Sequence, residues 1–282
     1  MSEFILSGFA DEINPMLDVQ LKVMNELNIG HIEVRGIDGK NISKYTPDEI
    51  KEIKKKFDAA NIKVSSIGSP IGKIQITDSM DDHIEEFKNI IEIAKIMETK
   101  YIRLFSFYMP KDEDPKKYRD EVLKRMNMFV DTAKSSGLIL LHENEKGIYG
   151  DVADRCLDIL ESIGSDSLRA VFDPANFVQC HEETYPRAFD MLKDHIEYMH
   201  IKDALKNGEV VPAGMGEGKV KEILKSLKDR DYKGFLSLEP HLTNFVGLAS
   251  LEEGKEKQEI STNTENKFKL AVKSLRDILK TL

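Results

Sequence analysis

Cysteine is scarce in this chain. Its 282 residues include two, Cys156 and Cys180, and neither belongs to a C-x-x-C pair. That usage points away from a disulfide-held secreted chain and makes the cytosol the expected compartment. Long apolar runs are missing as well, and the start, Met1-Ser2-Glu3-Phe4-Ile5, has no basic flank or signal-type apolar stretch. Membrane insertion is therefore not expected. Positive charge is in deficit: 41 Lys and Arg stand against 50 Asp and Glu, giving a net charge of -9. A protein that grips nucleic acid phosphates usually carries a basic stripe, so nucleic acid is not an expected partner. No phosphate-binding glycine fingerprint lies near the first apolar run, which weakens an open doubly wound sheet.

What is present is a regular alternation of short β-rich runs with helical patterns. The runs are Ile5 to Phe9, Ile32 to Val34, Val64 to Ile67, Tyr101 to Phe105, Leu138 to Glu143, Arg169 to Asp173, Ile196 to His200 and Phe235 to Glu239. Between them, apolar spacing predicts helices over about Pro15 to Leu27, from Thr46-Pro47, over Met80 to Met97, from Asp114-Pro115 to Ala133, over Val152 to Ile163, Tyr185 to Leu192 and Lys219 to Lys228, and finally Asn266 to Leu279. Thr46 is the expected N-cap, with Pro47 at the first helical position and acids in the first turn. Eight strand–helix units without a composition break predict an α/β fold, a single (β/α)8 TIM barrel spanning 1–282 as one domain. Two polar segments interrupt the rhythm, Tyr108 to Tyr118 and His241 to Glu265. Both follow strands, and lid or oligomer-contact roles are expected for them, with a surface-loop role as the plain alternative.

Four of the apolar runs stop abruptly at a charged or ligating side chain. Leu138-Ile139-Leu140-Leu141-His142 ends in Glu143, and the next three runs end in Asp173, His200 and Glu239. A carboxylate closing a buried parallel strand is costly unless it is paired or binds a cation. Active-site groups of such barrels sit at C-terminal strand ends, so four in consecutive strands predict one shared divalent metal. Oxygen ligands with one imidazole favour Mn²⁺, Mg²⁺ or Co²⁺ over a structural zinc, with Zn²⁺ still compatible. Period-two alternation sets His142 on the face opposite Glu143, which predicts a structural role for it.

Further polar candidates are Glu33 and Arg35, which share a face and could hold a ligand or pair with each other. Arg103 could reach the site or serve a structural ion pair. Lys202 has the parity of His200 and could bind substrate oxygens. Asn176, a turn past Asp173, could grip a hydroxyl or cap a helix. The glycine loop Gly214-Met215-Gly216-Glu217-Gly218 could offer an anion-binding nest, or be a plain turn.

Taken in order, several stretches together resemble the sugar phosphate isomerase/epimerase family with a xylose isomerase-like barrel. They are Gly8-Phe9-Ala10-Asp11-Glu12, the run from Ser65 to Lys73, His142 to Asp151, Phe172-Asp173-Pro174-Ala175-Asn176, His200-Ile201-Lys202-Asp203 and Leu238-Glu239-Pro240-His241. The likeness to ketose 3-epimerases implies that Glu143, Asp173, His200 and Glu239 bind one metal, Mn²⁺ first among the candidates. It also implies that Glu143 and Glu239 exchange a proton from opposite faces of a small carbohydrate substrate. Glu33, Arg35, Ser69, Arg103, Asn176 and Lys202 form the implied substrate-binding set.

The chemistry agrees with that implication: a cation chelated by a ketose carbonyl and its neighbouring hydroxyl stabilises an enediolate, and two carboxylates can remove and return the proton. One departure stands out, because those epimerases have histidine where this chain has Asn176. Three other readings compete. The first is a dehydratase or lyase on a keto-sugar or inositol derivative. The second is an apurinic endonuclease-like hydrolase, whose three-metal cluster needs an aspartate and a histidine where Val210-Val211-Pro212-Ala213 stands. The third is a sugar-binding protein without turnover.

Overall fold

The computed structural model describes residues 4–243 and 263–282. Eight parallel strands form its centre: β1 (Ile5–Gly8), β2 (His31–Val34), β3 (Lys63–Gly68), β4 (Tyr101–Leu104), β5 (Ile139–Glu143), β6 (Leu168–Phe172), β7 (Ile196–Ile201) and β8 (Phe235–Leu238). Hydrogen bonding runs in ring order, from β1 through β8, β7, β6, β5, β4 and β3 to β2. At the remaining seam β1 and β2 lie side by side, which makes a nearly closed TIM barrel. The expected fold is the observed one.

Helices α1 (Leu17–Glu26), α2 (Pro47–Ala59), α3 (Asp81–Ile96), α4 (Arg119–Ala133), α5 (Ala153–Ile163), α6 (Pro174–Gln179), α7 (Phe189–Leu192), α8 (Val220–Asp229) and α9 (Thr264–Leu279) connect the strands. Helix α2 starts as its sequence predicts. Thr46 accepts from the Glu49 amide, and the Glu49 side chain reaches back to the Thr46 amide. This reciprocal cap satisfies two backbone donors that a helix start otherwise leaves open.

Three local departures have physical causes. Asp114-Pro115 opens a 3-10 turn (Pro115–Tyr118) before α4 begins. Helix α6 follows Asp173 directly, because Asp173 Oδ1 caps it from the Asn176 amide at 2.9 Å and Pro174 occupies its first position. The helix expected over Tyr185 to Leu192 shrinks to α7: Tyr185 is extended (φ -145, ψ 131), the conformation that a following proline imposes. The segment from His241 to Glu265 falls mostly outside the described residues, and its expected lid role with it.

Inside the barrel the side chains change character along the axis. Tyr101, Leu141, Val171 and Tyr198 fill one end, backed by Ile139 and Phe235. A hydroxyl layer follows, in which Ser65 Oγ lies 2.6 Å from Ser7 Oγ and 2.8 Å from the Tyr198 hydroxyl. Beyond it, at the C-terminal strand ends, come the charges. The ladder steps by a residue between Ile32 and Glu33 on β2 and between Ala170 and Val171 on β6. Such irregularities re-aim side chains near sites, and both lie beside strands that carry charge into the barrel.

Candidate active site

Four strand ends converge. Glu143 is the last residue of β5, Asp173 follows β6, His200 lies on β7 and Glu239 follows β8, all buried. One ligand atom from each lies within 4.8 Å of the others, a spacing that can hold a metal ion. The imidazole has its Nδ1 turned to the acids: 3.0 Å from Glu143 Oε1, 3.6 Å from Glu239 Oε2 and 4.0 Å from Asp173 Oδ2. Its Nε2 lies 3.1 Å from Glu33 Oε2, on the far side of the ring.

Cations surround this group. Arg103 Nη1 donates to Glu143 Oε2 at 3.0 Å. Arg35 does not pair with Glu33; it donates to both Asp11 oxygens at 2.9 and 3.0 Å, to Glu12 Oε1 at 3.2 Å and to Glu239 Oε1 at 3.0 Å. Its guanidinium thus ties the β1 and β8 ends to β2, across the seam that backbone pairing leaves open. Lys202 Nζ lies 2.9 Å from Glu239 Oε2 and 3.0 Å from Asp173 Oδ2.

Charge is unbalanced even so. Asp11, Glu12, Glu33, Glu143, Asp173 and Glu239 are buried with the fixed cations Arg35, Arg103 and Lys202 and with the His200 ring. Burial lowers the proton affinity of that ring, but Glu143 and Glu33 outweigh it and raise it, so six carboxylates face four. Burial pushes the Asp173 carboxyl up, Lys202 opposes it, and Glu143 and Glu239 add to the rise, leaving it at about 6. Burial also acts to raise Glu143, but His200 and Arg103 outweigh it and hold that carboxyl at about 2. The opposite directions have one origin, an excess of acid that the cations neutralise unevenly. Asp173 Oδ2, close to Lys202, still makes no hydrogen bond of proper geometry. A buried oxygen held by an ion pair without a properly aligned hydrogen bond, surplus negative charge and an oxygen-rich donor set with one imidazole all fit a divalent ion.

The remaining candidates fall around this centre. Asn176 Nδ2 donates to the Asn144 carbonyl at 2.9 Å and to Glu143 Oε1 at 3.3 Å. The Ser69 hydroxyl donates to the Arg103 carbonyl, and Arg103 Nη2 returns a bond to the Ser69 carbonyl at 3.2 Å. His142 faces away from the centre, with Nε2 3.0 Å from Ser106 Oγ. The glycine loop does form a nest, but the chain fills it itself. Asp203 accepts from the amides of Gly214, Gly216 and Gly218 at 2.8 to 3.0 Å. A Cβ on Gly216 would come within 2.3 Å of Asp203 Oδ1, so glycine is required there.

Four contributors were not among the candidates: Asp11, Glu12, Asn144 and His241. His241 Nε2 lies 3.4 Å from Glu239 Oε1 and 3.5 Å from Glu12 Oε1. Their signal was position, since each follows a strand end that already carried a candidate or a motif. A cavity of about 400 Å³ opens above the centre, with Lys202, Asn176, His241, Glu145, Tyr108 and Met109 in its wall. A second cavity of about 410 Å³ lies at the other mouth, beside His31, Lys63, Tyr101 and Phe235, away from the carboxylates.

The described residues include no helix long and apolar enough to cross a membrane. No curated protein matches the chain by sequence. Solved structures do match by fold. L-ribulose 3-epimerase aligns at TM-score 0.76 and 17% identity, over 100% of this chain and 95% of that one. The probable 3-DHS dehydratase AsbF from Bacillus anthracis aligns at TM-score 0.74 and 16% identity, over 96% and 98%. The IOLI protein with a binding zinc atom aligns at TM-score 0.73 and 16% identity, over 99% of both chains. The family model for the xylose isomerase-like TIM barrel matches residues 21–275, and the chain belongs to that family.

Proposed function

We propose that the chain is a divalent-metal-dependent isomerase or epimerase of a small carbohydrate, a ketose, keto-sugar acid or sugar phosphate. The observation that carries this reading is the convergence of Glu143, Asp173, His200 and Glu239 within 4.8 Å at one buried point below an open cavity. These four would hold the ion, Mn²⁺ in the first place, with Mg²⁺, Co²⁺ and Zn²⁺ as the other candidates. When bound, it supplies Lewis-acid polarisation of a substrate carbonyl.

The protein's own groups do the rest. Glu143 and Glu239 stand at the ends of β5 and β8, both facing His200 Nδ1, and act as the proton carriers. Arg103 holds the first and Arg35 the second, so each carboxylate meets the substrate in a defined orientation. Lys202 and Asn176, in the cavity wall, bind substrate oxygens. Arg35, Arg103, Ser69 and Glu33 complete the proposed set from outside the cavity wall, through their bonds to Glu239, Glu143, Arg103 and His200. In this reading the chain works as one domain in the cytosol, alone or as a homo-oligomer, without nucleic acid or membrane.

The structural likeness to a 3-epimerase supports exchange of one proton at a carbon next to a carbonyl. The likeness to a dehydratase supports elimination of water as the second reading, and Asn176 in place of the epimerases' histidine leaves room for it. One experiment separates them. The Mn²⁺-loaded protein is incubated in D₂O with a panel of ketoses, keto-acids and their phosphates. Deuterium at a single carbon with an epimer or isomer as product supports the proposal; loss of water supports the dehydratase. A panel that shows neither deuterium uptake nor conversion overturns both.

A further inference from the structure

We infer that Glu33 is a positioning residue of the metal centre: its carboxylate fixes the tautomer of His200 and aims Nδ1 at Glu143, Asp173 and Glu239. The inference rests on the metal site proposed above and deepens it. Glu33 and His200 are both fully buried, and the cavity wall does not include Glu33. A carboxylate at the heart of a barrel has no reason of stability to be there, because desolvating it is expensive and, among the described residues, the imidazole is its one hydrogen-bond partner. Its second oxygen, Oε1, makes no hydrogen bond. A buried oxygen left in that state calls for a physical explanation.

The geometry says what that function is. An ionised carboxylate accepts and never donates, so the atom facing Glu33 Oε2 at 3.1 Å is Nε2–H. A cation held among Glu143, Asp173 and Glu239, which face Nδ1 at 3.0 to 4.0 Å, takes the Nδ1 lone pair, so the one N–H that the ring then keeps is the Nε2–H that Glu33 accepts. The edge-on rings of Phe9 and Tyr198, with centroids 5.3 and 6.0 Å away, hold the imidazole plane in place. Sequence separation hides the pair, since 167 positions divide the two residues. A step in the β2–β3 ladder at Glu33 accompanies the inward turn of its side chain. Outer partners that orient a ligating histidine in this way typically change metal affinity 10–100-fold when removed.

The test uses the full chain stripped of metal, with Co²⁺ as the probe. Binding is read by chelator competition and by the visible Co²⁺ spectrum in the wild type, Glu33→Gln and Glu33→Asp. The wild type should bind Co²⁺, Glu33→Gln should bind about 10–100-fold more weakly, and Glu33→Asp should fall between. The metal-free melting temperature should stay level or rise in Glu33→Gln, which a merely structural ion pair would not allow. Nitrogen NMR of the Zn²⁺-loaded wild type should show the His200 proton on Nε2. Equal Co²⁺ affinity in all three proteins, or a proton on Nδ1, would overturn the role of Glu33. A wild type that takes up neither Co²⁺ nor Zn²⁺ would instead bring down the metal-site reading itself. If Glu33→Gln fails to fold, Glu33→Asp alone decides, through its affinity relative to the wild type.

Discussion

Asn144 grips the main chain of Asp173 at both polar groups: its Oδ1 accepts from the Asp173 amide at 2.9 Å, and its Nδ2 donates to the Asp173 carbonyl at 2.9 Å. One carboxamide thereby locks the end of β5 to the end of β6 and sets the distance between Glu143 and Asp173. Asn144→Ala leaves the buried Asp173 amide without a partner, at about 1–3 kcal/mol, and its carbonyl with the Phe177 amide at 3.4 Å. Urea unfolding should register a loss of about 1–3 kcal/mol, and Co²⁺ affinity should fall with it. Wild-type stability in this variant would show that water replaces the clamp at no penalty.

The four-residue centre makes a direct claim about stoichiometry. The wild type should bind one divalent ion per chain, and Asp173→Ala and His200→Ala should each lose it, as measured by elemental analysis after gel filtration. Full occupancy in both variants would sink the assignment. Stripping the metal should lower stability by no more than the binding itself contributes, about 2.7 kcal/mol at a hundredfold excess over Kd, because the apolar core does not depend on it.

Glu143 and Glu239 should divide the proton transfer between them. Glu143→Gln and Glu239→Gln keep a coordinating oxygen but remove the base, so exchange should drop by roughly 10²–10⁴-fold. Each variant should block solvent exchange from one epimer and spare the other, followed by deuterium NMR. One variant abolishing exchange from both epimers, while its counterpart loses nothing, would mean a single base.

Asp203 should control the order of the glycine loop. Its carboxylate is the common acceptor for the Gly214, Gly216 and Gly218 amides, and hydrogen bonds to a charged group contribute about 1.5–3 kcal/mol each. Asp203→Ala should therefore raise hydrogen exchange at these three amides by orders of magnitude and leave α2 and α3 protected. Unchanged exchange in the loop would argue that its backbone conformation holds without the acceptor.

His142 sets a pH dependence of stability. Burial, with Glu143 opposing, lowers its ring from the ordinary 6.5 to about 4. Between those values the unfolded chain binds a proton that the folded chain refuses, so stability falls as pH drops from about 6.5 towards about 4. The slope from this one group approaches about 1.4 kcal/mol per pH unit. His142→Asn should remove that slope from the metal-free protein while retaining the carboxylate contribution, a difference that urea titrations across this range would measure. Parallel profiles for the two proteins would refute it.

Much of this centre is legible in the sequence alone. An apolar run that stops at Glu143, Asp173, His200 or Glu239 is a local pattern, and period-two alternation then states which side chain enters the barrel. The same parity separated His142 from Glu143, and the structure places His142 against Ser106 on the other face. The cap at Thr46 was equally local, since all of its partners lie within one turn.

Pairing between distant charges was not legible. Nothing in the neighbourhood of Arg35 says that it binds Asp11, Glu12 and Glu239 and leaves Glu33 to His200. The glycine loop reads as a nest, but its occupant, Asp203, is a matter of how the loop folds back onto the segment that follows β7. The sequence by itself determined the barrel, its strand ends and the identity of the residues that meet there, because alternation and strand length are properties of neighbours along the chain. Only the tertiary structure decided which carboxylate each cation neutralises and which ring nitrogen faces the acids. Those outcomes depend on distances across the barrel, where burial makes every unpaired charge expensive and closure brings together side chains as far apart as positions 33 and 200.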